Sequence, residues 1–551
     1  MPFLADKSCP LPTQDICSWI FDEPKYDIDQ PIFLEATNPS NHITAKQARS
    51  LVRKLCAGFR KAGLKPGDCV TIHAFNSIYY PIIVLGIIAF GGIFAGTNPA
   101  YTPFELKHHL KTARAKFLVA EPEILDSLRK AAKEVDIPDS RIVLLDEGRQ
   151  AGDAETISKH FRSWRTLMSH GEEDWVSFND EKTQSTTEAA RLFSSGTTGL
   201  PKAAMISHRN FVVQHTVCWE KTRPTRQIRR LVPLPFFHAA VAPLVHTGVL
   251  RSGEMCYIQR RFALEEFLAA IDKYQITDLI LVPPMINAVL NAPALTRKYS
   301  LRSLENGFTG AAPLDKEQQK RFIGLLKPEA RFTQVWGMTE TCCVATSFDW
   351  HEQDETGSVG RAKQHMDMKI VDDEGNDVTG YDVTGEICVH GPGVILGYLG
   401  SEEGEVNRRD WDADGYFHTG DIGVRKSETG LWFLVDRKKE LIKVRAFQVA
   451  PAELEGVLLG HPGIADAAVI GVKFERDGSE FPRAYIVRKP GSAGASLTER
   501  DVQQFVASRL AGYKRLEGGV VFTDAIPKNA SGKILKRLLR EIAAKEIGPK
   551  L

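Results

Sequence analysis

Nine consecutive residues, Ser194-Ser195-Gly196-Thr197-Thr198-Gly199-Leu200-Pro201-Lys202, combine two glycines, four hydroxyl side chains and one lysine directly after the apolar pair Leu192-Phe193. That mixture suits the holding of a polyphosphate. Glycine lets the backbone approach closely and adopt positive φ, hydroxyls and amides donate hydrogen bonds, and lysine supplies positive charge. The stretch is not a Walker A loop, because Pro201 stands where Gly-x-x-x-x-Gly-Lys-Ser/Thr has its second glycine. Nor does it fit the dinucleotide fingerprint of a Rossmann unit. Taken alone, it reads equally as an ordinary polar turn.

The loop has company along the chain. Leu234-Pro-Phe-Phe-His238, Thr309-Gly-Ala-Ala-Pro-Leu314 and Trp336-Gly-Met-Thr-Glu340 follow it. Then come Gly385-Glu386 with Gly391-Pro392, and Asp414-Gly-Tyr-Phe-His-Thr-Gly-Asp421. Last are Asp436-Arg-Lys-Lys-Glu-Leu-Ile-Lys443, Val449-Ala-Pro-Ala-Glu-Leu-Glu455 and Pro527-Lys-Asn-Ala-Ser-Gly-Lys533. In this order, and from about Thr44 to Arg540, the chain resembles the adenylate-forming superfamily of acyl- and aryl-CoA ligases, luciferases and adenylation domains, most of all the 4-coumarate:CoA-ligase-like enzymes. The resemblance implies an α/β fold with a large N-terminal body of several subdomains, residues 1–436, built of layered sheets and helices. It implies a small mobile α+β C-terminal lid, residues 437–551, turning about Lys439. It implies an ATP-dependent ligase that converts an aryl or medium-chain acid to its acyl-AMP and then passes the acyl group to CoA. ATP, Mg²⁺ and CoA are the expected cofactors and co-substrate.

A carboxylate is a poor electrophile, since its leaving group would be an oxide. Attack on the α-phosphorus of ATP replaces that group by AMP, but brings an anion against a polyanion, so preorganised positive charge and a metal are the main requirement. On the resemblance, Lys533 bridges the carboxylate and the α-phosphate, Glu340 holds Mg²⁺ and Thr339 contacts the α-phosphate. The nucleotide is expected at Ser194, Ser195, Gly196, Thr197, Thr198, Gly199 and Lys202, at Gly310, Ala311, Ala312 and Pro313, and at Trp336 and Gly337. Trp336 replaces the tyrosine that usually stacks on adenine, and an indole face can stack as well. Asp421 is expected on the ribose hydroxyls with Arg437 beside it; an isolated Asp in Thr-Gly-Asp would ordinarily be a turn residue. His238 is placed between the carboxylate site and the thiol channel, and Lys443 in the segment lining that channel. Small residues, Ala239, Ala240, Ala242, Gly310 and Ala311, are expected to leave room for an aromatic ring or a medium chain. Ala203 and Ala446 depart from the family pattern by replacing glycines.

The elements that must position these groups are legible as alternation. Short apolar runs such as Phe117–Ala120, Ile142–Leu145, Leu279–Val282 and Val520–Phe522 read as strands, separated by stretches with helical spacing. Residues 43–64 repeat apolar positions at Leu51, Leu55, Phe59 and Ala62, and predict a helix closed by Gly63 and Pro66-Gly67. Residues 78–97 carry no charge and are long enough to span a membrane, but Pro81, four glycines and the turn signal that follows predict a buried helix and a core strand instead. Residues 147–187 are polar and predict a surface insertion. The charged cluster at Asp436–Glu440 is expected to end a strand and mark the domain boundary.

At 551 residues more than one domain is expected. A formal net charge of +1 argues against a nucleic-acid partner held by bulk electrostatics. Nine scattered cysteines without a Cys-x-x-Cys pair suit reduced thiols. No basic-then-apolar leader is visible, so a cytoplasmic or peroxisomal protein is expected. The last residues, Pro549-Lys550-Leu551, partly match the Ser-Lys-Leu address. Monomer and homodimer are both open. The alternatives to the ligase are an adenylating relative that loads a carrier pantetheine or an amine, and a relative that binds nucleotide without catalysis.

Overall fold

The computed structural model describes residues 1–147, 161–194, 201–220, 224–312, 314–400, 406–438, 440–444, 447–473, 480–510, 512–529 and 532–547. Two large sheets dominate them. The nine-stranded sheet runs Val406–Asn407, Gly397–Leu399, Lys202–Ser207, Glu188–Ser194, Ile93–Gly96, Cys69–His73, Ala115–Ala120, Ile142–Leu144 and Arg162–Ser163. Its strands from Glu188–Ser194 onward pair in parallel, whereas Lys202–Ser207 returns antiparallel to Glu188–Ser194, with Ser194 opposite Lys202. Ser194 and Lys202, the ends of this antiparallel pair, therefore stand side by side at one end of the sheet. The seven-stranded sheet carries Asp278–Leu281, Asn306–Thr309 and Arg331–Gln334 in parallel at one side, so the chain segments leaving their C-terminal ends emerge together.

Between the strands Cys69–His73 and Ile93–Gly96 lies the helix Tyr80–Ala89, all ten of whose residues are buried. A helix with no polar face has no stable place at a surface, and each buried Ile or Leu contributes roughly 1.5–3 kcal/mol. The uncharged stretch is therefore core, and no helix among the described residues is long and apolar enough to cross a membrane. The neighbouring helix Ala45–Lys61 begins two residues later than the start of the apolar pattern, because Thr44 ends a strand and caps the helix in a reciprocal box with Gln47. The two helices touch where Gly86 meets Leu55; a Cβ there would sit 2.6 Å from the Leu55 Cβ.

Two expectations are corrected. Residues 147–187 are not simply a surface insertion: 148–160 lie outside the described residues, but Trp164 is fully buried and Leu167 nearly so. The segment follows the face of Ala45–Lys61 at Gly58, where a Cβ would meet the Leu167 carbonyl oxygen at 2.0 Å. Buried Phe161, Trp164 and Leu167, with half-buried Met168 and Trp175, pin a stretch that is otherwise polar. The charged cluster, too, starts inside a strand rather than after it. Trp432–Arg437 pairs with Phe417–Arg425 through Arg437, which lies in register with Asp421, so their opposite charges extend the ladder by cross-strand pairing.

Apolar packing changes hands beyond this strand. The main cluster includes Trp432 and partly buried Leu434, and the next begins at Ile442 and runs through the three-stranded sheet Ile464–Lys473, Glu480–Arg488 and Val520–Phe522. Helices Pro451–Leu459, Glu499–Ala507 and Lys536–Ile547 surround that small α+β unit. Lys439, the expected hinge, and the tail 548–551 lie outside the described residues.

Candidate active site

Strand ends from both large sheets and one turn from the small C-terminal unit enclose a cavity of about 220 Å³. The nine-stranded sheet contributes Gly96, Phe193, Ser194 and Pro201. From the other come Gly310 and Ala311 after Asn306–Thr309, and Val335, Gly337, Thr339 and Glu340 after Arg331–Gln334. Arg437, Asn529 and Lys533 close it.

Lys533 arrives on a built turn. Asn529 and Lys533 exchange hydrogen bonds, the Asn529 N–H with the Lys533 carbonyl at 2.9 Å and the Lys533 N–H with Asn529 Oδ1 at 2.8 Å. Gly532 takes φ +80°, and a Cβ there would fall 2.5 Å from Pro284 Cγ, so this turn docks on the body without room for a side chain. Burial and then the Arg437 charge pull the Lys533 ammonium below the ordinary lysine range, opposed by Glu440, Asp421 and Glu340. Arg437 is held protonated chiefly by Asp421.

Each oxygen of Asp421 has a protein partner and keeps a lone pair, although the residue does not itself line the cavity. Its Oδ1 lies 3.0 Å from Arg437 Nε, and its Oδ2 accepts the indole N–H of Trp336 at 2.8 Å. Trp336 is 4% exposed and does not line the cavity; its backbone pairs with Thr346, and its indole reaches across to Asp421. In this arrangement the expected stacking platform acts as a hydrogen-bond donor that orients the carboxylate.

His238 lines the cavity. Its Nδ1 accepts the Ala240 N–H at 3.1 Å, so the neutral ring carries its proton on Nε2. Burial and the nearby Lys533 charge push it down to about 4, which keeps it uncharged at neutral pH. Ala239 and Ala240 line the cavity with it, but Ala242 does not: it is fully buried one turn further on, where its N–H reaches the His238 carbonyl, and it packs into the core. Ala311 sits at φ +68°, a conformation costly for a residue with a Cβ; Ala312 is beside the cavity rather than in its wall.

Glu340 lies in a short turn, Thr339–Thr341, and is 3% exposed. Its Oε1 accepts the Tyr398 hydroxyl at 2.6 Å, and its Oε2 has no hydrogen-bond partner among the described residues. An acidic oxygen facing a cavity fits a hard divalent cation. Lys202 is not in the wall. Its ammonium pairs with Asp410 at 3.3 Å and lies over the Tyr398 ring, 4.4 Å from the centroid. Ser195, Gly196, Thr197, Thr198, Gly199, Pro313 and Ala446 lie outside the described residues, as does the side chain of Lys443.

Sequence reasoning missed Tyr398, which is 58 positions from its partner Glu340 and carries no local signal. It also missed His109, in the cavity wall, stacked on Phe193 with ring centroids 3.6 Å apart. Burial holds that ring neutral, near 3.

Residues 25–399 match the AMP-binding enzyme family, and residues 453–533 match the AMP-binding enzyme C-terminal domain. The phenylacetyl-CoA ligase epaB of Aspergillus niger is 50% identical over 543 residues, covering 98% of this chain and 99% of its own. The acyl-CoA ligase azaF of Aspergillus niger is 50% identical over 541 residues, covering 98% and 100%. Among solved structures, ATP-bound MatB from Rhodopseudomonas palustris superposes with a TM-score of 0.83 at 25% identity, covering 97% of this chain and 99% of its own.

Proposed function

The chain belongs to the AMP-binding enzyme family, and we propose that the acid it activates is a monocarboxylic acid with an aryl or medium-length apolar tail. As an ATP-dependent acid:CoA ligase it works in two steps. A carboxylate oxygen of the acid bonds to the α-phosphorus of ATP as the bond to the bridging oxygen breaks, giving acyl-AMP and pyrophosphate. The thiolate sulfur of CoA then attacks the acyl carbonyl, AMP leaves, and the thiol proton is released.

The cavity wall carries the reading of the acid. Its charged side chains among the described residues are Glu340, Arg437 and Lys533, which influence one another electrostatically. The rest includes Phe237, Ala239, Ala240, Phe308, Val335 and Cys343. An apolar tail gains from burial there, whereas a second carboxylate would be buried without a cation, at a cost of several kcal/mol. A relative named for phenylacetyl-CoA supports the aryl tail.

In this reading Lys533 sits between the acid's carboxylate and the α-phosphate. Its unit charge at ~4 Å is worth about 4 kcal/mol at an effective dielectric of ~20. His238, neutral and donating from Nε2, orients the carboxylate without adding charge. Asp421, held by Trp336 and Arg437, faces the ribose. Glu340 would hold Mg²⁺ through Oε2, and the metal when bound would neutralise charge on the phosphates. For the second step the C-terminal unit turns about Lys439, withdrawing Lys533 and bringing the Lys443–Ala446 segment to the thiol. The cytoplasm or the peroxisome is the proposed location, the latter on a relative named as a peroxisomal ligase.

A panel of acids tests this. Acid-dependent ATP–pyrophosphate exchange and acyl-CoA mass are measured for phenylacetic, benzoic and straight-chain monocarboxylic acids, each beside a dicarboxylic acid of equal length. We expect monoacids to exceed diacids by on the order of 10² or more, the cost of an unpaired buried charge. Diacids turned over as well as their monoacid partners would contradict the proposed acid class.

A further inference from the structure

Tyr398 touches two of the groups expected at the phosphates without itself lining the cavity. Its hydroxyl donates to Glu340 Oε1 at 2.6 Å, within the range of a charge-assisted O–H···O⁻ bond. Its ring face lies under the Lys202 ammonium, 4.4 Å from the centroid, and Lys202 continues to Asp410. The backbone around it ties the same parts together. Tyr398 stands opposite Ala204 in the pairing of Gly397–Leu399 with Lys202–Ser207. Just before it, the Ile395 N–H donates to the Glu340 carbonyl at 3.0 Å and the Leu396 N–H to the Met205 carbonyl at 3.1 Å.

The consequence for Glu340 is directional. A carboxylate on a free two-bond stem samples several rotamers; one whose Oε1 is held at 2.6 Å presents Oε2 in a single direction. Tyr398 is 5% exposed, so its bond to Glu340 is shielded from competing water. Groups that hold a metal's ligand in this way tune affinity although they never touch the metal.

We propose that Tyr398 is a positioning residue for the adenylating step, aiming Glu340 at a divalent cation through its hydroxyl while its ring couples that carboxylate to Lys202. The proposal rests on the reading of Glu340 as the Mg²⁺ ligand. Tyr398→Phe keeps the ring under Lys202 and removes the hydroxyl alone, whereas Glu340→Gln alters the ligand itself. For each variant two quantities are measured: the free Mg²⁺ that half-saturates pyrophosphate exchange, and the calorimetric affinity for ATP with Mg²⁺ and with EDTA.

In Tyr398→Phe the half-saturating Mg²⁺ rises roughly tenfold and the affinity for ATP with Mg²⁺ weakens. The affinity in EDTA and the KM for the acid stay at wild-type values. An unchanged Mg²⁺ requirement, or equal loss of ATP affinity with and without metal, overturns the proposal. If Glu340→Gln keeps the wild-type Mg²⁺ requirement, the reading of Glu340 falls and takes the proposal with it. If Glu340→Gln loses the metal response and Tyr398→Phe does not, the proposal alone falls.

Discussion

Lys533 acts only while protonated, and its surroundings make that conditional. Burial and Arg437 lower its pKa from the ordinary 10.5, so raising the pH removes its charge earlier than for an exposed lysine. The kcat/KM for adenylation, which reports the free enzyme, is predicted to fall on the alkaline side as pH rises through that depressed value. His238, already neutral, contributes no limb near neutrality. Lys533→Arg, whose guanidinium does not titrate, is predicted to be slower but to lose the alkaline limb; a pH–rate series checks this, and the same limb in the variant would contradict the assignment. Lys533, Glu340 and Arg437, which the fold brings to one cavity, could be picked out as candidates in the sequence because each sits in a short ordered segment; Asp421, picked out in the same way, lies behind Arg437 rather than in the wall. Tyr398 was not, since its role lies in a contact 58 residues away. The partner of Lys202 was illegible for the same reason: Asp410 is 208 positions distant. Trp336 was legible as an aromatic ring, but spacing says nothing about which atom of an indole meets which neighbour.

At the scale of elements, the site depends on turns where backbone meets backbone. A Cβ on Gly337 would lie 1.6 Å from the Cys343 carbonyl oxygen and 2.8 Å from the Val344 Cα, neither of which can swing aside as a side chain would. Gly337→Ala is therefore predicted to destabilise by ~1–3 kcal/mol or more, lowering the melting temperature and abolishing exchange. Gly512→Ala, with nothing within 4 Å of its Cβ, is the control expected to leave both unchanged. A Gly337→Ala protein with wild-type melting and activity would refute this account of the turn. Strands and helices with a clear apolar rhythm were legible: the buried helix Tyr80–Ala89 and the strand Ala115–Ala120 fall where the pattern puts them. What escaped were elements fixed by few residues or by cross-strand charge. Phe161, Trp164 and Leu167 help pin an otherwise polar segment, and Arg437 stays in its strand because Asp421 stands opposite. Neither fact has a local periodicity.

Across the whole molecule, the cavity is completed by two units that pack around separate apolar clusters. The body supplies the cavity's apolar wall and Glu340, and the C-terminal unit supplies Lys533, seated through Gly532 on Pro284. A group delivered from a separately packed unit can serve one half-reaction and be withdrawn for the other. Motif order and the charged cluster at Asp436–Glu440 gave only the expectation of a body and a C-terminal unit, and the docking of Gly532 on Pro284 had no signal in the sequence at all. The measurement that tests this division most directly compares the two half-reactions of Lys533→Ala: acid-dependent pyrophosphate exchange, and acyl-CoA formation from supplied acyl-AMP. Exchange is predicted to fall by on the order of 10²–10³, while attack of CoA on acyl-AMP stays near the wild-type rate. Equal losses in both half-reactions would contradict it.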